Sequence, residues 1–222
     1  IDSGTWVDGD GSIFFGIDDS ITLNFTTQAA NTAPTFTNLN GDTPSFTEGA
    51  AVRLDAAGNA TVADAEQANF NGGTLTVSIT GNEEAGEDVL SVANIGTGAG
   101  QISVAGATIS YQGVQIGTFT GGTGGADLVV TLDGDATPAA TQALVRALQY
   151  NNTSEAPTTL ARTIQLVLTD GAGGSSAVQQ VIVNVTSVND APVGQDDAVS
   201  AVESAVYSGD VFADNGSGAD SD

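Results

Sequence analysis

The chain predicts an all-β fold, a Greek-key-like two-sheet sandwich carrying one short helix, and three observations point that way. Val, Ile, Leu and Thr dominate the patterned stretches, while the aromatic residues amount to 8 Phe, 3 Tyr and 1 Trp, a composition that favours strands over helices. Several segments alternate strictly, as in Thr74-Leu75-Thr76-Val77-Ser78-Ile79-Thr80, where Leu75, Val77 and Ile79 would face a core and the hydroxyl residues water. The runs are short and separated by glycine-rich turns, which is the rhythm of a sandwich. With 222 residues, 40% of them hydrophobic, the chain is long enough to bury a substantial core.

Taken in order, residues 1–30 hold two strand-like pieces, Ser12-Ile13-Phe14-Phe15-Gly16 and Ile21-Thr22-Leu23-Asn24-Phe25, separated by Asp18-Asp19. Two strands cannot close a core by themselves, so this region is expected to be an N-terminal extension or the tail of a preceding β module. The central module, residues 31–192, has strand candidates at about Pro34–Phe36, Ala51–Leu54, Thr74–Thr80, Val89–Val92, Ile102–Val104, Thr108–Tyr111, Val114–Phe119, Leu128–Leu132, Thr163–Thr169 and Val178–Val185. One helix interrupts them, from about Pro138 to Tyr150. Thr137 can cap it, Pro138 occupies the first turn, where a missing N–H is harmless, and Asn151-Asn152 stops it. Its buried stripe would be Ala140, Ala143, Leu144, Ala147 and Leu148. Gly121-Gly122-Thr123-Gly124-Gly125 has no phosphate-binding lysine and reads as a hairpin or mobile loop. Residues 193–222 open a new strand pattern at Asp196-Asp197-Ala198-Val199-Ser200 and are expected to be the truncated start of a following β module.

Two similar segments bracket the central module, Asn31-Thr32-Ala33-Pro34 and Ser187-Val188-Asn189-Asp190-Ala191-Pro192. Each offers side-chain oxygens beside a proline that cannot continue a sheet ladder, as a linker holding a hard cation would. The chain is therefore expected to be a piece of a repeat array, with Ile1 an internal or processed start.

Charge narrows the range of partners. Three Lys or Arg residues stand against 27 acidic ones, for a formal net charge of −24. A basic stripe is the footprint of phosphate binding, and none can be assembled from Arg53, Arg146 and Arg162, which sets aside nucleic acid and an anionic membrane surface. Self-repulsion of this size opposes a compact state unless salt screens it or cations bind. With no Cys and no His, disulfides, thiolate sites and the commonest transition-metal ligand are absent, so oxygen ligands and a hard cation such as Ca2+ are what remain. No run approaches the roughly 20 apolar residues of a membrane-spanning helix. Catalysis lacks parts: there is no His for a triad, no Cys or Lys nucleophile, and no Ser beside a recognisable base, so the chain is not expected to be an enzyme.

The stretch Ala143-Leu144-Val145-Arg146-Ala147-Leu148-Gln149-Tyr150-Asn151-Asn152-Thr153-Ser154 is followed by Ala161-Arg162-Thr163-Ile164 and Leu168-Thr169-Asp170-Gly171. Together with Phe46-Thr47-Glu48-Gly49-Ala50, Val62-Ala63-Asp64-Ala65-Glu66, Glu87-Asp88-Val89-Leu90 and Val188-Asn189-Asp190-Ala191-Pro192, it resembles the bacterial cadherin-like, Ig-like sandwich repeats of giant calcium-binding surface adhesins. These pieces occur in the family's order and span nearly all of residues 31–192. The resemblance implies secreted or cell-surface modules joined end to end, with Ca2+ at the junctions, acting as spacers or adhesive elements. It puts Glu48, Asp64, Glu66, Asn189 and Asp190 at calcium-ligand positions of cadherin-type junctions. The linkers depart from the family's pattern, with Ser187 where an acidic residue is frequent and Thr32 where Asp is usual, which weakens the expected site near Asn31. The tail Gly209-Asp210-Val211-Phe212-Ala213-Asp214-Asn215-Gly216 resembles the opening of another repeat of the same broad class.

Residue chemistry adds detail. Asp64 and Glu66, two apart, can grip one ion with Asn69 or Asn71 completing the shell, or else form a solvated acidic turn. Asp133-Gly134-Asp135 is either a metal-binding pair or a carboxylate set at the positive end of the helix that follows. Asp8-Gly9-Asp10-Gly11-Ser12 lacks the glycine and bidentate glutamate of an EF-hand and reads as a β-turn, with or without calcium. Glu83, Glu84, Glu87 and Asp88 read as a solvated face, and Asp196-Asp197 as part of a junction or a blunted edge. Partners would be neighbouring repeats or identical subunits of a filament, to which residues 1–30 would donate a strand in one version. The alternative is a calcium-dependent module for a cell-surface glycan or protein, which would require an exposed aromatic platform from Trp6, Tyr111, Tyr150 and Tyr207.

Overall fold

The computed structural model describes residues 30–189, the short strands β1 (Trp6–Val7) and β2 (Ile13–Phe14), and the isolated positions Glu203, Ser204 and Val206. Two compact units are present, Ile1–Ala30 and Asn31–Asp222. In the first, β1 and β2 pair antiparallel with Trp6 opposite Phe14; the expected piece at Ile21–Phe25 lies outside the described residues, as does most of 193–222.

Among the described residues the second unit is an all-β sandwich with one helix. In chain order its elements are β3 (Thr35–Thr37), β4 (Ser45–Thr47), β5 (Val52–Arg53), β6 (Thr61–Ala63), β7 (Thr74–Gly81), β8 (Asp88–Val92), β9 (Ile102–Ala105), β10 (Thr108–Tyr111), β11 (Val114–Thr120), β12 (Leu128–Leu132), α1 (Pro138–Ala147), β13 (Leu148–Asn152), β14 (Arg162–Leu168) and β15 (Gln179–Thr186). One sheet has eight strands in the order β4-β15-β14-β7-β12-β11-β10-β9; β5-β13-β8 and β3-β6 form the smaller sheets. The chain crosses layers repeatedly: β7 lies in the large sheet, β8 in the small one, β9 to β12 return as a meander, and β13 crosses again before β14 settles beside β7. Pairing is antiparallel except for β4 on β15, which is parallel.

Period-2 burial explains why these sequences hold these strands. In β14, Ile164, Leu166 and Leu168 point inward; in β15, Val181, Val183 and Val185 do, opposite Leu90 and Val92 of β8 and Leu148 and Tyr150 of β13 in one continuous core. Phe46 meets the Tyr150 ring edge-on at 5.2 Å between centroids, a favourable quadrupolar geometry.

The helix begins as the sequence predicts: the Thr137 hydroxyl accepts the Ala140 N–H at 3.2 Å, and Pro138 sits in the first turn. It ends three residues earlier than expected. Leu148 is already extended at φ −62° and ψ 139°, and Leu148–Asn152 is a strand pairing Tyr150 with Leu90 on one side and Val52 on the other. Tyr and Asn are weak helix formers, and two waiting strand edges outbid the last helical turn. Asn151-Asn152 therefore continues a strand rather than stopping a helix. Fully buried Val145 and Thr141 join Ala140, Leu144 and Ala147 on the helix's inner side, whereas Ala143 is only partly buried. The strands β4 and β6 are also additions to the expectation. Each carries a single buried apolar residue, Phe46 or Val62, too little for an alternation to be read.

Candidate functional site

The two linkers leave the sandwich at opposite poles. Asp170 follows the end of β14, beside the entry linker, whereas Arg162 begins β14 opposite Val183, near the exit of β15. Eight residue steps of extended chain separate those levels, roughly 26 Å.

At the entry pole the side chains interlock. Asn31 Nδ2 donates to Asp170 Oδ2 at 2.7 Å, and Gln67 Nε2 donates to Asn31 Oδ1 at 2.9 Å. The backbone N–H and hydroxyl of Thr32 both donate to Glu66 Oε2, at 3.2 and 2.5 Å. Asp64 Oδ1 accepts the N–H groups of Glu66 and Gln67 at 3.0 and 2.9 Å, closing an Asx turn that orients the Asp64 side chain. Its other oxygen, Oδ2, is buried and receives no hydrogen bond. Asp170 Oδ1 accepts from Ala172 and Gly174 at 2.7 and 2.8 Å. Burial alone would raise the Asp170 pKa, but the hydrogen bonds from Asn31, Ala172 and Gly174 outweigh it and hold the carboxyl below its usual range.

At the exit pole Glu48 holds the departing chain: its N–H donates to Thr186 O at 3.2 Å and its Oε2 accepts the Val188 N–H at 2.9 Å. A concave pocket of about 430 Å³ lies there, between Glu48, Gly49, residues 151–155 and Val188. Glu48 and Glu155 are its carboxylates. Asn189 is exposed one residue further on, and Asp190 lies outside the described residues.

Close to this pocket, through Asn152, sits a buried polar knot. Asp88 Oδ1 accepts from Tyr150 OH at 2.5 Å and Asn152 Nδ2 at 2.7 Å; Oδ2 accepts from Arg162 Nε and the Glu84 N–H, both at 2.8 Å. Arg162, 0% exposed, further donates to Leu160 O at 2.6 Å, to Thr158, and to Glu84. Burial pushes the Asp88 pKa up, yet the donors from Glu84, Tyr150, Arg162 and Asn152 prevail and keep it below the ordinary carboxylate value. Burial and then the Asp88 carboxylate drive the Tyr150 hydroxyl upward. Arg162 is raised: burial works against its charge, and Asp88 foremost restores it.

The structure thus brings together Asp64 and Glu66 with the entry linker, and Glu48 with the exit linker, but does not unite all of them in one site. Asp133 Oδ1 accepts the Asp135 N–H at 3.0 Å and Oδ2 accepts from Gln115 at 3.3 Å, a turn that leads into α1. Asp88 is a correction to the expected solvated acidic face, being 3% exposed. Among the described residues, no three acidic side chains come close enough to hold a metal ion. The donor set nonetheless fits a hard cation in part: the acceptors at the entry pole are all oxygens, and Asp64 Oδ2 is a buried anionic atom without a donor. Asp170 and Gln67 were not among the expected site residues; the Asp170-Gly171 turn was the one legible sign. For a glycan platform, Tyr150 is withdrawn into the core and Tyr111 is partly buried against it. The Trp6 side chain and Tyr207 lie outside the described residues. No family model matches the chain, and no curated protein gives a significant match.

Proposed function

We propose that the chain is a structural repeat of a large secreted or surface-attached adhesin or extracellular filament, a spacer and assembly module stiffened by Ca2+ and without catalytic activity. The observation that carries this reading is Asp64 Oδ2, a buried carboxylate oxygen with no hydrogen-bond donor, on a side chain locked in place beside the linker-bound Glu66. A buried carboxylate oxygen without a donor is costly, and a cation is a partner that suits its chemistry. Asp64 and Glu66 would hold the ion, with further oxygens from the linker backbone and an adjoining module. Bound Ca2+ would supply positive charge that offsets part of the −24 and ties linker to sandwich, so that modules in series bend less. Grips on both linkers at opposite poles, Glu66 on Thr32 and Glu48 on Val188, support a module that transmits force along its length.

The test is calcium titration of the full chain by calorimetry and thermal unfolding. Ca2+ at a hundredfold excess over its Kd should stabilise the fold by about 2.7 kcal/mol, chelation should reverse this, and Asp64→Asn should remove most of it. An unchanged melting temperature and no binding heat at millimolar Ca2+ would overturn the reading.

A further inference from the structure

Across all eight strands of the large sheet the one charged residue is Arg162, and it points into the core. The outward positions are Ser, Thr, Asn, Gln, Val, Ile and Ala, and at the centre one row runs Val167–Thr76–Val129–Thr120 across four strands. That is an unusual allocation in a chain with 27 acidic residues: among the described residues the carboxylates all lie outside this sheet, most of them in loops, while its strands carry none. We propose that this face is a self-association surface on which a second copy of the chain packs sheet against sheet.

Charge selects the occupant. Two copies at −24 each repel wherever carboxylates meet, and the outer face of this sheet is where they can touch without burying an unpaired charge. The size is adequate: eight strands spaced about 4.8 Å apart and five to six residues long give a face of roughly 34 by 20 Å, near the ~800 Å² per partner of a standard interface. β-branched Thr, Val and Ile are stiff at χ1, so packing them costs little side-chain entropy. Edge-to-edge joining is blocked at β9, where the N–H groups of Ile95 and Gly96 donate to Ile102 O at 2.8 and 3.0 Å and Asn94 Oδ1 accepts the Val104 N–H at 3.2 Å. Association therefore uses the face and not that edge.

The salt dependence is distinctive. An interface built on ion pairs weakens with salt; an uncharged face on a strongly anionic body strengthens, because screening removes the long-range repulsion. Sedimentation velocity of the full chain at up to about 1 mM protein should show monomer at about 10 mM NaCl, where the Debye length is about 30 Å, and dimer at about 0.5 M. Thr76→Glu and Thr76→Arg should each weaken the dimer at least tenfold, although they change net charge in opposite directions. Ala57→Glu, in an exposed loop, controls for added charge, and circular dichroism confirms folding. A monomer at every salt concentration, or a dimer indifferent to both Thr76 variants, overturns the proposal. A monomer whose melting temperature falls with both Thr76 variants also overturns it and assigns the face to another segment of the same chain.

Discussion

Asp88 is the residue on which the exit pole is built. Its neighbours in sequence, Glu83, Glu84 and Glu87, make it look like one of several solvated carboxylates, yet it is the inward-facing first residue of β8 and neutralises the buried Arg162. The other two arginines donate to backbone carbonyls instead: Arg53 Nη1 to Ala147 O at 2.6 Å, at the helix end, and Arg146 Nε to Ala60 O at 2.8 Å. Removing one partner of a buried ion pair leaves the other charge stranded, so Asp88→Ala is expected to destabilise the fold by about 3–5 kcal/mol in urea unfolding. A solvated carboxylate would change stability by less than about 0.5 kcal/mol, so a loss that small would refute the assigned role. Asp88, Tyr150, Asn152 and Arg162 come from three strands and meet in this one knot, and what they hold together is the sandwich itself.

At the scale of elements, the alternating strands were legible and the transitions were not. β7, β10, β12 and β14 follow from period-2 patterns, as β15 does from its valines. The switch from α1 to β13 was hidden because Ala147-Leu148 satisfies the helical stripe and the strand equally well; the pairing edges of β5 and β8 decide it. The glycine-rich segment is the hairpin between β11 and β12, and it also reaches the second layer, where Gly122 O accepts the Leu90 N–H at 2.8 Å. A Cβ on Gly122, at φ +86°, would lie 2.3 Å from Leu90 O, whereas Gly124, at φ +64°, faces open space. Gly122→Ala should therefore cost more than about 2 kcal/mol in equilibrium unfolding, and more than Gly124→Ala, which meets backbone strain alone. Equal losses would show that the hairpin does not press on β8.

For the whole molecule, titration sets the stable range. Asp88 and Asp170 have depressed folded pKa values, so the stability that they contribute is fully present above the unfolded carboxylate value of about 4 and is lost as pH falls through the folded values. Tyr150 has the opposite sign: its raised pKa contributes stability that is fully present below an unfolded value of about 10 and declines as pH rises beyond it. Unfolding free energy measured against pH is expected to show a plateau between these limits. In Tyr150→Phe the alkaline decline should shrink; an unaltered decline would place its origin elsewhere. The two poles matter at this scale as well, since a module gripped at both ends suits a series arrangement and a charge-free face suits a lateral one.

By itself the sequence determined the fold class, the strand rhythm, the helix start and the confinement of any metal chemistry to oxygen ligands. Periodicity and composition are local properties, and they survive reading without coordinates. Tertiary structure decided which carboxylates are filled by hydrogen-bond donors and which keep an oxygen without one. Asp64, Asp88, Asp133 and Asp170 are the same side chain in the sequence; all four accept local N–H groups, and Asp88 and Asp170 also receive strong donors from far along the chain, Arg162 and Asn31. Both oxygens of Asp88 and of Asp170 are thereby filled, while one oxygen of Asp64 receives no donor.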